Sequence, residues 1–130
     1  VRTLLIQLSR NLSGNNSDII EKNTFNMFFK IRMHILSNLA YDWNTENMAE
    51  LAHMSKSQFY RYYTSIFHQP PKTELIEARM EYAKYLLTNE ALQVNQIARM
   101  IGYTNEYHFI RTFKKHYGYS PKQYIKQKKV

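Results

Sequence analysis

The sequence predicts an all-α chain: two helix-turn-helix units joined by a long central helix, preceded by an extra N-terminal helix and a linker. Three observations predict it. The stretch Met48-Ala49-Glu50-Leu51-Ala52-His53-Met54-Ser55 returns as Ile97-Ala98-Arg99-Met100-Ile101-Gly102-Tyr103-Thr104. Each copy is followed by an aromatic-x-Arg-x-aromatic pattern, Phe59-Tyr60-Arg61-Tyr62-Tyr63 and Phe109-Ile110-Arg111-Thr112-Phe113. No segment alternates apolar and polar residues between hairpin turns, so no sheet is expected. The copies are offset by 49 residues from Met48 to Ile97 and by 50 from Phe59 to Phe109, which places one extra residue in the second turn. A repeat of this period is one supersecondary unit used twice.

The elements follow in order. Residues 1–12 put Leu4, Leu5, Leu8 and Leu12 on one helical stripe, the end of an upstream domain or a dimerisation helix. Ser13 to Asp18 has the small polar composition of a linker, and Ile19 to Thr24 either starts a helix or stays loose. Residues 1–24 are therefore set apart from a domain covering 25–130. From Phe25 to Leu39, Phe25, Phe28, Phe29, Arg32, Ile35, Leu36 and Leu39 define a first core helix. The first helix-turn-helix spans about 44–67. Asn44 or Thr45 caps its opening helix, and Ser55 with Gln58 three residues on fits a capping box for the next. Pro71 opens a linking helix over about 71–88. The second unit runs over about 94–117, and Ser120-Pro121-Lys122-Gln123 opens a closing helix with a further capping box.

A linking helix of about 18 residues spans roughly 27 Å. With the width of the packed units added, the two second helices of the repeat are expected about 34 Å apart, one turn of duplex.

Composition bounds the chemistry. The 130 residues are about one domain and carry a net charge of +8 with no cysteine. Disulfides, thiolate metal sites and thiol nucleophiles are therefore excluded, and a reducing, cytoplasmic compartment fits. No apolar run approaches a membrane span and no signal-peptide pattern is present. A first residue of Val rather than Met reads as a piece of a longer chain. From Ala91 onward eight Lys and Arg face the single acid Glu106, which favours a polyanionic partner. A membrane surface is the weaker candidate, because no basic helix also carries a lipid-facing aromatic stripe. Gly14, Gly102 and Gly118 are the only glycines, too few for a phosphate-cradling loop. The five histidines lack zinc spacing, and the aromatics sit at core spacing. Neither an enzyme nor a bound metal or cofactor is expected.

The spacing Met48-Ala49…Met54-Ser55…Arg61-Tyr62-Tyr63…Pro71…Arg79-Met80…Ala83…Leu86-Leu87, then Ile97-Ala98…Gly102-Tyr103…Phe109…Arg111-Thr112-Phe113-Lys114-Lys115…Gly118-Tyr119-Ser120-Pro121…Tyr124, resembles the AraC/XylS family of bacterial transcription regulators. The resemblance covers about residues 40 to 126. It implies seven helices, with two homeodomain-like helix-turn-helix units reading adjacent major-groove segments of duplex DNA. It also implies transcription control, usually activation through RNA polymerase, and an upstream domain that senses a small effector or dimerises. The first unit departs from the pattern. His53 and His68 stand where the second has Gly102 and Gly118, Pro70-Pro71 replaces Ser-Pro, and Glu74 replaces the aromatic matched by Tyr124. A different docking or strain of that unit is the expectation.

A reading helix meets base edges with the face opposite its core stripe. In the first unit Phe59, Tyr62 or Tyr63 and Ile66 form the core side, leaving Ser57, Gln58, Tyr60 and Arg61. In the second, Phe109, Thr112 and Phe113 pack, leaving Glu106, Tyr107, Ile110 and Arg111. The resemblance places base reading on Ser57, Tyr60, Arg61, Glu106, Tyr107 and Arg111. Arginine can bridge guanine O6 and N7, glutamine can pair with adenine, and glutamate can accept from cytosine N4. Either arginine could equally form a phosphate clamp or a surface ion pair. Lys56, Lys114, Lys115, the helix starts capped by Ser55 and Asn105, and His108 are placed for phosphates. The rival reading is a helical protein-interaction module, or a basic domain that binds DNA without reading sequence.

Overall fold

The computed structural model describes residues 13–128, and the surroundings of side chains from residue 21 to 128. Seven helices and no strand occur among the described residues: α1 (Ser13–Leu36), α2 (Thr45–Leu51), α3 (Lys56–Phe67), α4 (Pro71–Leu86), α5 (Val94–Met100), α6 (Glu106–Tyr117) and α7 (Pro121–Lys128). None is long and apolar enough to cross a membrane. The leucine stripe of residues 4–12 lies outside the described residues.

The stretch Ser13 to Asp18, whose composition reads as a linker, is helical: α1 runs through it without a break. Serine, asparagine and aspartate weaken a helix by up to about 0.7 kcal/mol each and Gly14 by about 1, and no proline interrupts the run. A helix anchored further along can therefore propagate through them. Its anchoring stripe is also rotated from the one expected. Thr24, Phe28, Ile31 and Ile35 face inward at spacings of four, three and four, while Phe25 and Phe29 remain largely exposed and pack on each other.

Two cores form. Phe28, Ile31, Ile35, Trp43, Met48, Ala49, Ala52, Phe59, Tyr63 and Leu75 build the first. Met80, Ala83, Leu86, Leu87, Ile97, Ala98, Ile101, Tyr103, Phe109, Phe113 and Tyr124 build the second. Helix α4 belongs to both, passing from one to the other between Leu75 and Met80.

Local chemistry sets the boundaries. Asn44 caps α2 through reciprocal hydrogen bonds with Asn47, whose backbone N–H donates to Asn44 Oδ1 at 2.8 Å. Ser120 and Gln123 form the expected reciprocal pair ahead of α7. At α3 only half of the box is made: Gln58 N–H donates to Ser55 Oγ at 3.2 Å, and the Gln58 side chain stays free for other work. Trp43 is buried and donates its indole N–H to Asn38 O.

The structure also answers the departures in the first unit. His53 (φ 54°) and His68 (φ 61°) adopt the left-handed backbone that Gly102 (φ 100°) and Gly118 (φ 86°) adopt in the second. The caps match as well: His68 N–H donates to Thr64 O, and Gly118 N–H to Lys114 O. The first unit therefore keeps the geometry of the second and bears the steric cost, which histidine tolerates better than branched residues.

Glu74 is similarly accommodated. In the second unit Lys84 lies over the rings of Tyr117 (4.3 Å) and Tyr124 (5.4 Å). In the first, Arg32 lies 4.7 Å over the Phe67 ring and pairs with Glu74. Phe67 and Glu74 each stand 50 residues before Tyr117 and Tyr124. One cation of the preceding long helix thus does the same job twice, meeting an aromatic pair in one unit and an aromatic plus a carboxylate in the other.

Candidate nucleic-acid interface

The second helix of each unit is held by its aromatic face. Phe59 and Tyr63 of α3, and Phe109 and Phe113 of α6, are all buried to within 1% of full burial. Phe28 stacks on Phe59 at 5.4 Å, and Phe109 meets Phe113 edge-on at 5.8 Å. Tyr62 is exposed, so Tyr63 is the core residue of the pair left open by the sequence. Thr112 is half-buried and donates its hydroxyl to His108 O at 2.9 Å.

With those faces turned inward, the opposite faces are presented to solvent. Ser57, Gln58, Tyr60 and Arg61 are all exposed on α3. On α6, Tyr107 is 71% exposed, Arg111 is exposed, and Glu106 is partly covered. Ile110, which the spacing leaves on the outer face, is half-buried against the second core. The expected base-reading residues are thereby brought together in two sets, one per unit. Tyr60 on α3 and Tyr107 on α6 are the exposed aromatics of those outer faces.

The residues expected at phosphates divide. Lys56, Lys114 and Lys115 are exposed. Asn105 and Ser55 spend their side-chain oxygens on their own helices: Asn105 Oδ1 accepts from Tyr107 N at 2.8 Å and His108 N at 3.2 Å. What they leave open is the remaining backbone N–H groups of the first turn. His108 is exposed and its ring packs edge-on against Tyr103 at 5.1 Å.

Sequence reasoning missed a polar cleft of about 330 Å³ at the seam of the two units. Lys72, Arg79, Arg99 and His108 line it with Asp42. Arg99 was visible only as part of the repeat and Lys72 only as the residue after Pro71. Neither lies on a reading helix, so no periodicity argument reaches them.

The remaining ionisable chemistry is structural. Burial opposes the charge of Glu74, but hydrogen bonds from Arg32 and Tyr63 outweigh it and hold its carboxyl below the ordinary range. Burial and the bond to Glu74 push the Tyr63 phenol far up. Arg32 and Glu74 form an ion pair.

Comparison with known proteins places this geometry. A helix-turn-helix domain family model matches residues 48–127, more than half of the chain. An HTH-type transcriptional regulator of Haemophilus influenzae is 38% identical over 92 residues, 71% of this chain and 31% of that protein. The transcriptional activator AggR of Escherichia coli is 33% identical over 118 residues, 85% of this chain and 43% of its own length. The chain thus spans less than half the length of these relatives. Among solved structures, the C-terminal domain of AraT from Geobacillus stearothermophilus superposes with a TM-score of 0.73 at 29% identity, covering 78% of this chain and 84% of that one. The DNA-binding domain of AdpA, solved in complex with a target DNA, superposes with a TM-score of 0.71 at 26% identity, covering 75% and 88%. With its repeat, its paired helices and these relatives, the chain belongs to the AraC/XylS family of transcription regulators, as a C-terminal helix-turn-helix domain.

Proposed function

We propose that this chain binds double-stranded DNA sequence-specifically, with α3 and α6 entering adjacent major-groove segments. One observation carries the reading. Both copies of the repeat bury their aromatic face and leave an arginine exposed at the equivalent place, Arg61 and Arg111, beside exposed Ser57, Gln58 and Tyr60 in one and Tyr107 in the other. Ser57, Gln58, Tyr60 and Arg61 read one segment, and Glu106, Tyr107 and Arg111 the other. Lys56, Lys114, Lys115, His108 and the capped starts of α3 and α6 fix register on phosphates. The solved AdpA domain, held on its target DNA, supports this docking.

In the whole protein we assign the chain to a bacterial transcription regulator, an activator by analogy with the named activator AggR. RNA polymerase is then its partner and the cytoplasm its place of action. A small effector bound upstream and dimerisation through the N-terminal region complete the assignment. The chain's role is binding, not catalysis.

Selection of bound sequences from a random duplex pool tests this. The expected result is a two-part motif whose halves lie about one helical turn apart. Recovery of no motif, with equal weak binding to every duplex, would favour a sequence-blind or protein-binding module.

A further inference from the structure

Arg79 stands on α4 where that helix changes from one core to the other, next to Met80 and four residues after Leu75. It is only 7% exposed. Asp42, in the same cleft, acts on its charge through space, but no ion-pair contact holds the guanidinium among the described residues. Its donors go instead to main chain of the first unit: Nε to Leu39 O at 3.1 Å and Nη2 to Tyr41 O at 2.8 Å. Its other side meets the turn of the second unit. The guanidinium carbon lies 5.5 Å from the centre of the Tyr103 ring. A Cβ added to Gly102 would fall 2.5 Å from Nη2 and 2.6 Å from Leu39 O. The second unit's turn therefore lies directly on the guanidinium and on a first-unit carbonyl.

This explains why the turn position is glycine in one unit and histidine in the other. Gly102 is pressed against the seam, whereas its counterpart His53 is exposed. It also bears on what the arginine is for. An apolar side chain could fill a buried place on α4 without desolvating a charge, so stability alone is a weak reason to put a cation there. A rigid fork of donors does what an apolar group cannot: it ties two surfaces in one orientation.

We propose that Arg79 is a positioning residue that fixes the angle between α3 and α6, and so the base-pair spacing the domain accepts between the two halves of its site. The spacing part rests on the DNA-binding reading above; the angle does not.

The chain has no cysteine, so Ser65→Cys on α3 and His116→Cys on α6 give two exposed labelling points. Spin labels there should report one narrow distance distribution. Arg79→Met, which keeps length without the donors, should broaden it while circular dichroism stays helical. Arg79→Lys, which keeps charge without the fork, should broaden it partly. If Arg79→Met fails to fold, the lysine variant decides. A distribution left narrow by the folded variant overturns the proposal.

On DNA, inserting two base pairs between the halves should weaken the parent by about tenfold or more, the worth of one half's base contacts. Arg79→Met should lose most of that spacing penalty while keeping its affinity for a single half. An equal loss at every spacing would make Arg79 a fold support only. Absence of any site preference in the parent would instead sink the DNA-reading proposal, and the label distances would still judge the clasp.

Discussion

Arg32 grips the carboxylate of Glu74, with its Nε 3.0 Å from both oxygens, across 42 residues of chain. Tyr63 donates its hydroxyl to the same carboxylate, and Gln69 Nε2 donates at 3.1 Å. Three elements of the first unit, α1, α3 and α4, thus converge on one buried acid. Glu74→Ala should cost about 2–3 kcal/mol, because Tyr63 loses its buried acceptor while Arg32, partly exposed, can still reach water. Chemical unfolding followed by a first-unit probe such as Trp43 checks this.

The same cluster gives a pH dependence. The Glu74 carboxyl titrates below its ordinary 4.5 in the folded chain. A depressed folded pKa adds stability that is present above pH 4.5 and is lost as pH falls through the folded value. Acid should therefore destabilise the parent more steeply below pH 4.5 than it does Glu74→Gln, which has no proton to take up. Unfolding midpoints measured from pH 7 to pH 3 test it, and parallel curves would count against the cluster.

Two glycines of the same backbone type should respond differently. Gly118 has open space where a Cβ would stand, so Gly118→Ala carries only the left-handed penalty of about 1 kcal/mol. Gly102→Ala must also displace the Arg79 fork and Leu39 O, and should cost about 3 kcal/mol or more. Conversely, His68→Gly should leave stability unchanged or raise it by about 0.5–1 kcal/mol, since φ 61° strains histidine and not glycine. Thermal melts of the three variants decide the order.

Much of this was legible in the sequence and some was not. The repeat gave both helix pairs, the extra turn residue and the core aromatics, because aromatic spacing on a short amphipathic helix has few solutions. The turns bear the offset out: four residues separate α2 from α3, and five separate α5 from α6. Composition misread Ser13 to Asp18, since polar residues do not end a helix that lacks a proline or a capped stop. The Arg32–Glu74 pair was invisible because its partners lie far apart in the chain, and Glu74 registered only as a departure from an aromatic. The role of Arg79 was hidden for the same reason, as its partners are backbone carbonyls that no side-chain pattern reveals.

Phosphate and base contacts should separate in salt titrations. Lys114→Ala and Lys115→Ala should weaken binding to all duplexes alike and reduce the slope of log K against log salt by about 1 each. A slope unchanged by either lysine would remove it from the phosphate set.

Base reading by α3 and α6 is tested most sharply by repeating the site selection with Arg61→Ala and Arg111→Ala. Each variant should lose preference in a different half of the site, by about 1–3 kcal/mol, and keep it in the other. Identical selected sequences for the parent and both variants would contradict base reading by α3 and α6.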